Sequence, residues 1–280
     1  MEVKIIADSI SNQMIRLTTM HLRYWRPIHS ELMTHRVFSR NARSSRAVPV
    51  VTLLNEEKFI PQFGMNQRGM QSTLAPPPDL QDKWAREWDE LAEITRSYVT
   101  RWGDEGMHKQ HANRPLEWFG WIDVLVTSTF WDNFWALRID AAAQPELRQL
   151  AEAMKAAIDA SKPKLLLPGD WHMPYILDEE RQEKLELLLK LSTARCARLS
   201  YRPFDGNADH EAEIERYKRL VVSQPVHASP AEHQATPDAY QWRTGDRYNE
   251  RVWGQPELHG NFHGWIQHRK LIDGESVMEG

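Results

Sequence analysis

The sequence predicts a helix-rich α+β fold, a single domain with a mainly antiparallel sheet. Three observations predict it. Short apolar segments with β-forming neighbours open the chain, long stretches of helical periodicity follow, and strand signals are too few for alternating βα units. A chain of 280 residues with 41% hydrophobic and 26% charged residues can bury one sizeable core.

Residues 1–26 read as extended, because Val3, Ile5, Ile15, Leu17, Met20 and Leu22 fall in short apolar segments. Pro27 can open a short helix that carries the chain toward His35. Between Pro49 and Pro78, Pro61, Gly64, Gly69 and a triple proline predict a long connection with little regular structure. From Asp79, Trp84, Trp88, Leu91, Tyr98 and Trp102 recur at helical spacing up to Gly103, a stripe expected to face the core. Further helices are expected over Leu116–Arg138, over Glu146–Ala160 behind Pro145, over Asp178–Cys196 with Leu185, Leu188, Leu189 and Leu191 on one side, and over Asp209–Val222. No internal repeat is evident.

Composition narrows the function. A net charge of -4 argues against a general nucleic-acid binder. No apolar stretch is long enough to span a bilayer and the first residues lack the plan of a signal peptide, so a cytoplasmic protein is expected. The single cysteine, Cys196, excludes an intrachain disulfide and any multi-cysteine metal site. Twelve tryptophans are read as large core anchors.

The most informative segment is Thr34-His35-Arg36-Val37-Phe38-Ser39-Arg40-Asn41-Ala42-Arg43-Ser44-Ser45-Arg46. Such a density of cations and hydrogen-bond donors suits a phosphate or a flavin pyrophosphate. It equally suits a solvated basic loop or a nucleic-acid patch.

This run resembles the signature of the flavin-dependent thymidylate synthase family. His35, Arg36, Ser39, Asn41, Ser44 and Arg46 coincide with it, while Thr34 replaces an arginine, Ala42 an acidic residue and Glu31 a glutamine. A second match is Asn133-Phe134-Trp135-Ala136-Leu137-Arg138-Ile139-Asp140, followed by Ala143-Gln144 and Glu146. Two more pieces, Ala197-Arg198-Leu199-Ser200-Tyr201 and His227-Ala228-Ser229-Pro230-Ala231-Glu232-His233, lie near the C-terminus. In the family they precede the basic signature. The resemblance therefore implies a circularly permuted order within one domain over 1–280, in which 1–196 holds the signature loop and helical part and 197–280 the relocated module. Residues 50–80 and 235–260 have no counterpart.

The resemblance implies a fold like that of the thymidylate synthase complementing proteins, and a one-carbon transfer from methylenetetrahydrofolate to C5 of a pyrimidine deoxynucleoside monophosphate. FAD would be the cofactor, with NADPH and methylenetetrahydrofolate as co-substrates, and dUMP the expected substrate. Arg138 would be catalytic, favouring ionisation of the pyrimidine ring. His35, Arg36, Asn41, Asn133 and Ser229 would contact the flavin. Glu31, Thr34, Ser44, Ser45 and Arg46 would hold substrate, with Lys109 or Arg114 in place of an arginine expected where Asn113 stands. No metal is expected, although His259, His263 and His268 cluster in sequence. A homotetramer is implied, its sites built across subunit boundaries. The three departures at 31, 34 and 42 leave a dUMP or dCMP hydroxymethylase as the alternative enzyme, and a non-catalytic nucleic-acid-binding protein as the alternative from another class. Cys196, beside small residues on an apolar helix, reads as structural.

Overall fold

The structure is a computed structural model that describes residues 1–69, 71–207, 209–244 and 249–276. The chain begins with a hairpin, β1 (Glu2–Ser11) and β2 (Arg16–Trp25), which turns at Met14 with a positive φ of 64°. A 3-10 turn with Pro27 leads into α1 (His29–Leu32), then to β3 (Ser39–Ala42) and α2 (Val50–Leu54). An irregular connection follows, as the prolines and glycines predict. The long α3 (Pro78–Asp104) has prolines at its start, where a missing N–H leaves no helical bond unmade. After α4 (Lys109–Ala112) and a 3-10 turn (Pro115–Trp118) come β4 (Trp121–Ser128), α5 (Asp132–Arg138), α6 (Pro145–Ala160) and β5 (Lys164–Leu166).

The main sheet has the order β3-β4-β2-β1-β5, antiparallel except where β5 joins β1 in parallel. On one face Met20, Leu22 and Tyr24 of β2 and Ile122, Val124 and Val126 of β4 pack against Trp131 and Phe134 of the α5 region and Leu147, Leu150 and Met154 of α6. The opposite face is covered by later chain. There α7 (Leu185–Arg198) brings Cys196 against Leu125, and Trp265 and Phe262 close over Leu17. The remaining elements are α8 (His210–Tyr217), which Asp209 caps and a π turn (Lys218–Val222) extends, a 3-10 turn (Ser229–Glu232), and two small two-stranded sheets. One pairs β6 (Ala235–Pro237) with β9 (Trp265–Gln267), the other β7 (Tyr240–Thr244) with β8 (Asn249–Trp253). Gly264, with φ of 70°, sits where a Cβ would collide with Trp253. Among the described residues no helix is long and apolar enough to cross a membrane.

The fold class stands, and three local expectations are corrected. The helix expected over Leu116–Arg138 is instead a 3-10 turn, the central strand β4 and only then α5. Because β4 is buried along nearly its whole length, its sequence lacks the alternation that marks a half-buried strand. The buried stripe of α3 is rotated from the one expected. Ala92 and Val99 are buried and Trp84, Trp88 and Trp102 half-buried, whereas Leu91 and Tyr98 are exposed. The α-helix expected from Asp178 begins only at Leu185, itself exposed, after a separate 3-10 turn at Asp178–Glu180.

Candidate functional site

The last turn of α5 carries Arg138 beside the turn that follows α1. Its Nε donates to His35 Nε2 at 2.9 Å, Nη1 meets Glu31 Oε2 at 3.3 Å, and Nη2 donates to Thr34 Oγ1 at 3.2 Å. A guanidinium has five N–H donors, so two remain uncommitted among the described residues. Because His35 Nε2 accepts, the imidazole is neutral with its proton on Nδ1. Burial, reinforced by the charges of Arg138 and Arg40, lowers its pKa in agreement with that geometry. Phe134 packs edge-on against the His35 ring at 4.8 Å and Phe38 stacks on it at 5.7 Å. The cluster is thus held from below by the apolar core. Above it lies a cleft of about 660 Å³ lined by Glu31, Arg138, Gln144, Glu146, Trp25 and Phe63.

A second cleft, of about 820 Å³, lies where β3 meets the C-terminal part of the chain. Asn41, Ser200, Tyr201, His227, Ser229 and Arg216 line it. The turn at Ser229–Glu232 packs on β3, and the Ser44 N–H donates to the Ser200 carbonyl at 2.9 Å. Arg40 bridges toward the first cluster by donating to the carbonyls of Met33 and His35.

The loop after β3 is held from the α4 region. Asn113, fully buried, donates to the carbonyls of Ser45 and Val48, and Lys109 Nζ donates to the Ala47 carbonyl at 2.9 Å. The Ser45 hydroxyl donates to Glu117 Oε1, the oxygen that Arg114 also meets at 3.0 Å. Arg43 is buried and pairs with Glu56 at 2.5 Å.

The structure therefore gathers Glu31, Thr34, His35 and Arg138 in one place, Asn41 and Ser229 in another, and Ser44, Ser45, Lys109 and Arg114 around the loop. Arg36, Arg46 and Asn133 are exposed and line neither cleft. Among lining or contacting residues to which the reading of the chain gave no role, Gln144, Glu146, Ser200, Tyr201 and His227 stood inside quoted motifs, whereas Trp25, Phe63, Arg216 and Glu117 had no such signal. The three C-terminal histidines diverge: His259 pairs with Asp238 at 2.8 Å, His263 packs on Trp253, and His268 lies against Trp171. Among the described residues no His, Cys, Asp or Glu group is arranged to hold a metal ion. Cys196 is fully buried, and burial pushes its thiol pKa up, away from the reactive thiolate.

A family profile described as thymidylate synthase complementing protein matches residues 16–164. No curated protein sequence matches. Among solved structures, the chain is similar to the crystal structure of a UMP/dUMP methylase, PolB, from Streptomyces cacaoi bound with 5-Br UMP. The TM-score is 0.47 and the identity 17%, over 56% of this chain and 87% of that one.

Proposed function

The chain belongs to the thymidylate synthase complementing protein family, and from that premise we propose that it is a flavin-dependent one-carbon transferase acting at C5 of a pyrimidine deoxynucleoside monophosphate, with dUMP to dTMP as its reaction. The observation that carries this reading is the Arg138 fork, fixed on three sides and left with two free donors beside an open cleft. A guanidinium so held can stabilise negative charge as it develops on a pyrimidine ring without reorganising. Neutral His35 keeps it oriented, and Glu31 offsets part of its charge.

The cleft at Asn41 and Ser229 fits a flavin nucleotide in size and in donors: amide, hydroxyl, imidazole and guanidinium groups converge on about 820 Å³. FAD bound there would supply the redox chemistry, with methylenetetrahydrofolate as one-carbon donor and NADPH as reductant. Asn41, His227 and Ser229 would hold it through hydrogen bonds. The loop at Ser44–Arg46 would hold the substrate phosphate. The packing of Ser229–Glu232 on β3 supports the permuted order, in which the C-terminal module returns to complete the site. A homotetramer would bury the apolar side chains of Leu91, Ile94 and Tyr98 exposed on α3.

A hydroxymethylase acting on dUMP or dCMP is the second reading. It is favoured by the pairing of Arg138 with Glu31 and Thr34, which changes the polarity of the pocket from the family's pattern.

The test is an absorbance spectrum of the purified protein, then incubation with FAD, NADPH, methylenetetrahydrofolate and dUMP or dCMP, with products identified by mass. A flavin spectrum and methylated dUMP are expected; a hydroxymethylated product selects the second reading. Arg138→Ala should lower turnover by about 10²–10³-fold with FAD still bound. Near-normal activity would remove Arg138 from the mechanism.

A further inference from the structure

Glu117 Oε1 accepts hydrogen bonds from the Ser45 hydroxyl and from Arg114 Nη1 at 3.0 Å, and forms an ion pair with Arg26 Nη2 at 3.1 Å. One hydroxyl and two guanidinium groups converging on a single anionic oxygen is the environment that recognises a phosphate monoester. Here a carboxylate of the chain itself occupies it. Lys109 and Asn113 fix the backbone of the loop that carries Ser45 through the carbonyls of Ala47, Ser45 and Val48, so this donor is held while its acceptor is a carboxylate of the chain itself.

The adjoining cavity, lined by Arg26, Arg43, Ser45 and Glu117, has a volume of about 30 Å³. That admits water and is too small for a phosphate group. Arg43, buried in its wall, has an Nε with no partner among the described residues. Glu117 sits on a short 3-10 turn and its side chain is only partly buried, so it can swing toward solvent when a competing anion arrives.

We infer that Glu117 is an internal anion latch on the phosphate subsite: it holds Ser45, Arg26 and Arg114 in place of a phosphate monoester, and the substrate phosphate must displace it. The inference rests on the nucleotide reading above. A carboxylate and a phosphate cannot share these donors, because two like charges at contact repel. Affinity for the phosphate-bearing ligand is therefore set by this residue, and affinity for the nucleoside is not.

The experiment is calorimetric titration of the full chain with dUMP and with deoxyuridine, for wild type, Glu117→Gln and Glu117→Asp. Glu117→Gln keeps the size and removes the charge, and should tighten dUMP binding by about tenfold while leaving deoxyuridine unchanged. Glu117→Asp keeps the charge but is one methylene short of Ser45, and should gain less. Adding Ser45→Ala to Glu117→Gln should cancel much of the gain. Inorganic phosphate should raise the melting temperature of Glu117→Gln more than that of wild type, which also checks that the variant folds. Equal or weaker dUMP binding by Glu117→Gln, with wild type binding normally, overturns the latch and leaves the nucleotide reading intact. Failure of every variant to bind dUMP, deoxyuridine or phosphate overturns both.

Discussion

On one face of the main sheet Met20, Leu22, Ile122, Val124 and Val126 meet Leu147, Leu150 and Phe134 in an apolar cluster, whereas the other face carries a chain of hydrogen bonds across three strands. Ser9 Oγ lies 2.9 Å from His172 Nδ1, His172 Nε2 lies 2.8 Å from Thr19 Oγ1, Thr19 pairs with Thr127 at 2.7 Å, and Thr127 reaches His233 Nδ1 at 2.8 Å. The first face gains free energy in proportion to the area it removes from water, without directional demands on which apolar partner supplies it. The second gains little per bond, but a mispaired member leaves a buried donor or acceptor unmet at about 1–3 kcal/mol. The polar face is accordingly the one that can fix the register of the segments around His172 and His233, which arrive late in the chain. Hydrocarbon stabilises the sheet, and the network specifies where the C-terminal half docks.

Leu150→Ala, at a fully buried position, should lower unfolding free energy by about 3–5 kcal/mol in a denaturant titration, and a loss below 1 kcal/mol would mean that the cluster does not bear on stability.

The next effect is on the polar side and appears with acid. Burial lowers the pKa of His172 and of His233 to about 3 from the usual 6.5. The unfolded chain thus takes up protons below pH 6.5 that the folded chain refuses. Stability from keeping these rings neutral is complete above pH 6.5 and is lost progressively as pH falls toward 3. Between pH 6.5 and 4.5, a window that lies above most carboxylate titrations, each ring should account for about 2–3 kcal/mol of that loss. Melting curves across the window should show a shallower slope for His172→Phe than for wild type, and equal slopes would refute the buried neutral pair.

Cys196→Ser places a hydroxyl near the Gln234 amide, which already lies 3.5 Å from the sulfur, so it should cost about 1 kcal/mol and leave turnover intact. Complete loss of activity in a folded Cys196→Ser protein would restore a covalent role for the thiol.

Local patterns were legible wherever one face of an element is wet. The helices α3 and α6 were readable because their sequences repeat with the helical period, and β1 and β2 because short apolar segments there have β-forming neighbours, although β2 is itself buried on both faces. β4 was not, because a strand buried on both faces is a continuous apolar run that fits a helix as well. Within the site, the residue types near 31–46 and 133–146 were legible as motifs. Their grouping was not: His35 and Arg138 are 103 residues apart, and nothing local indicates that one accepts a hydrogen bond from the other.

Residue identity and short-range periodicity along the chain suffice for the residue types of the site, the helix-rich α+β class and the lack of a second cysteine to form a disulfide. Tertiary structure alone decided that Asn41 shares a cleft with Ser229, that Arg138 is fixed by Glu31, Thr34 and His35, and that Glu117 engages Ser45. The reason is physical. A hydrogen bond depends on distance and angle between atoms that the fold brings together, whereas helix and strand preferences are set by neighbours along the chain.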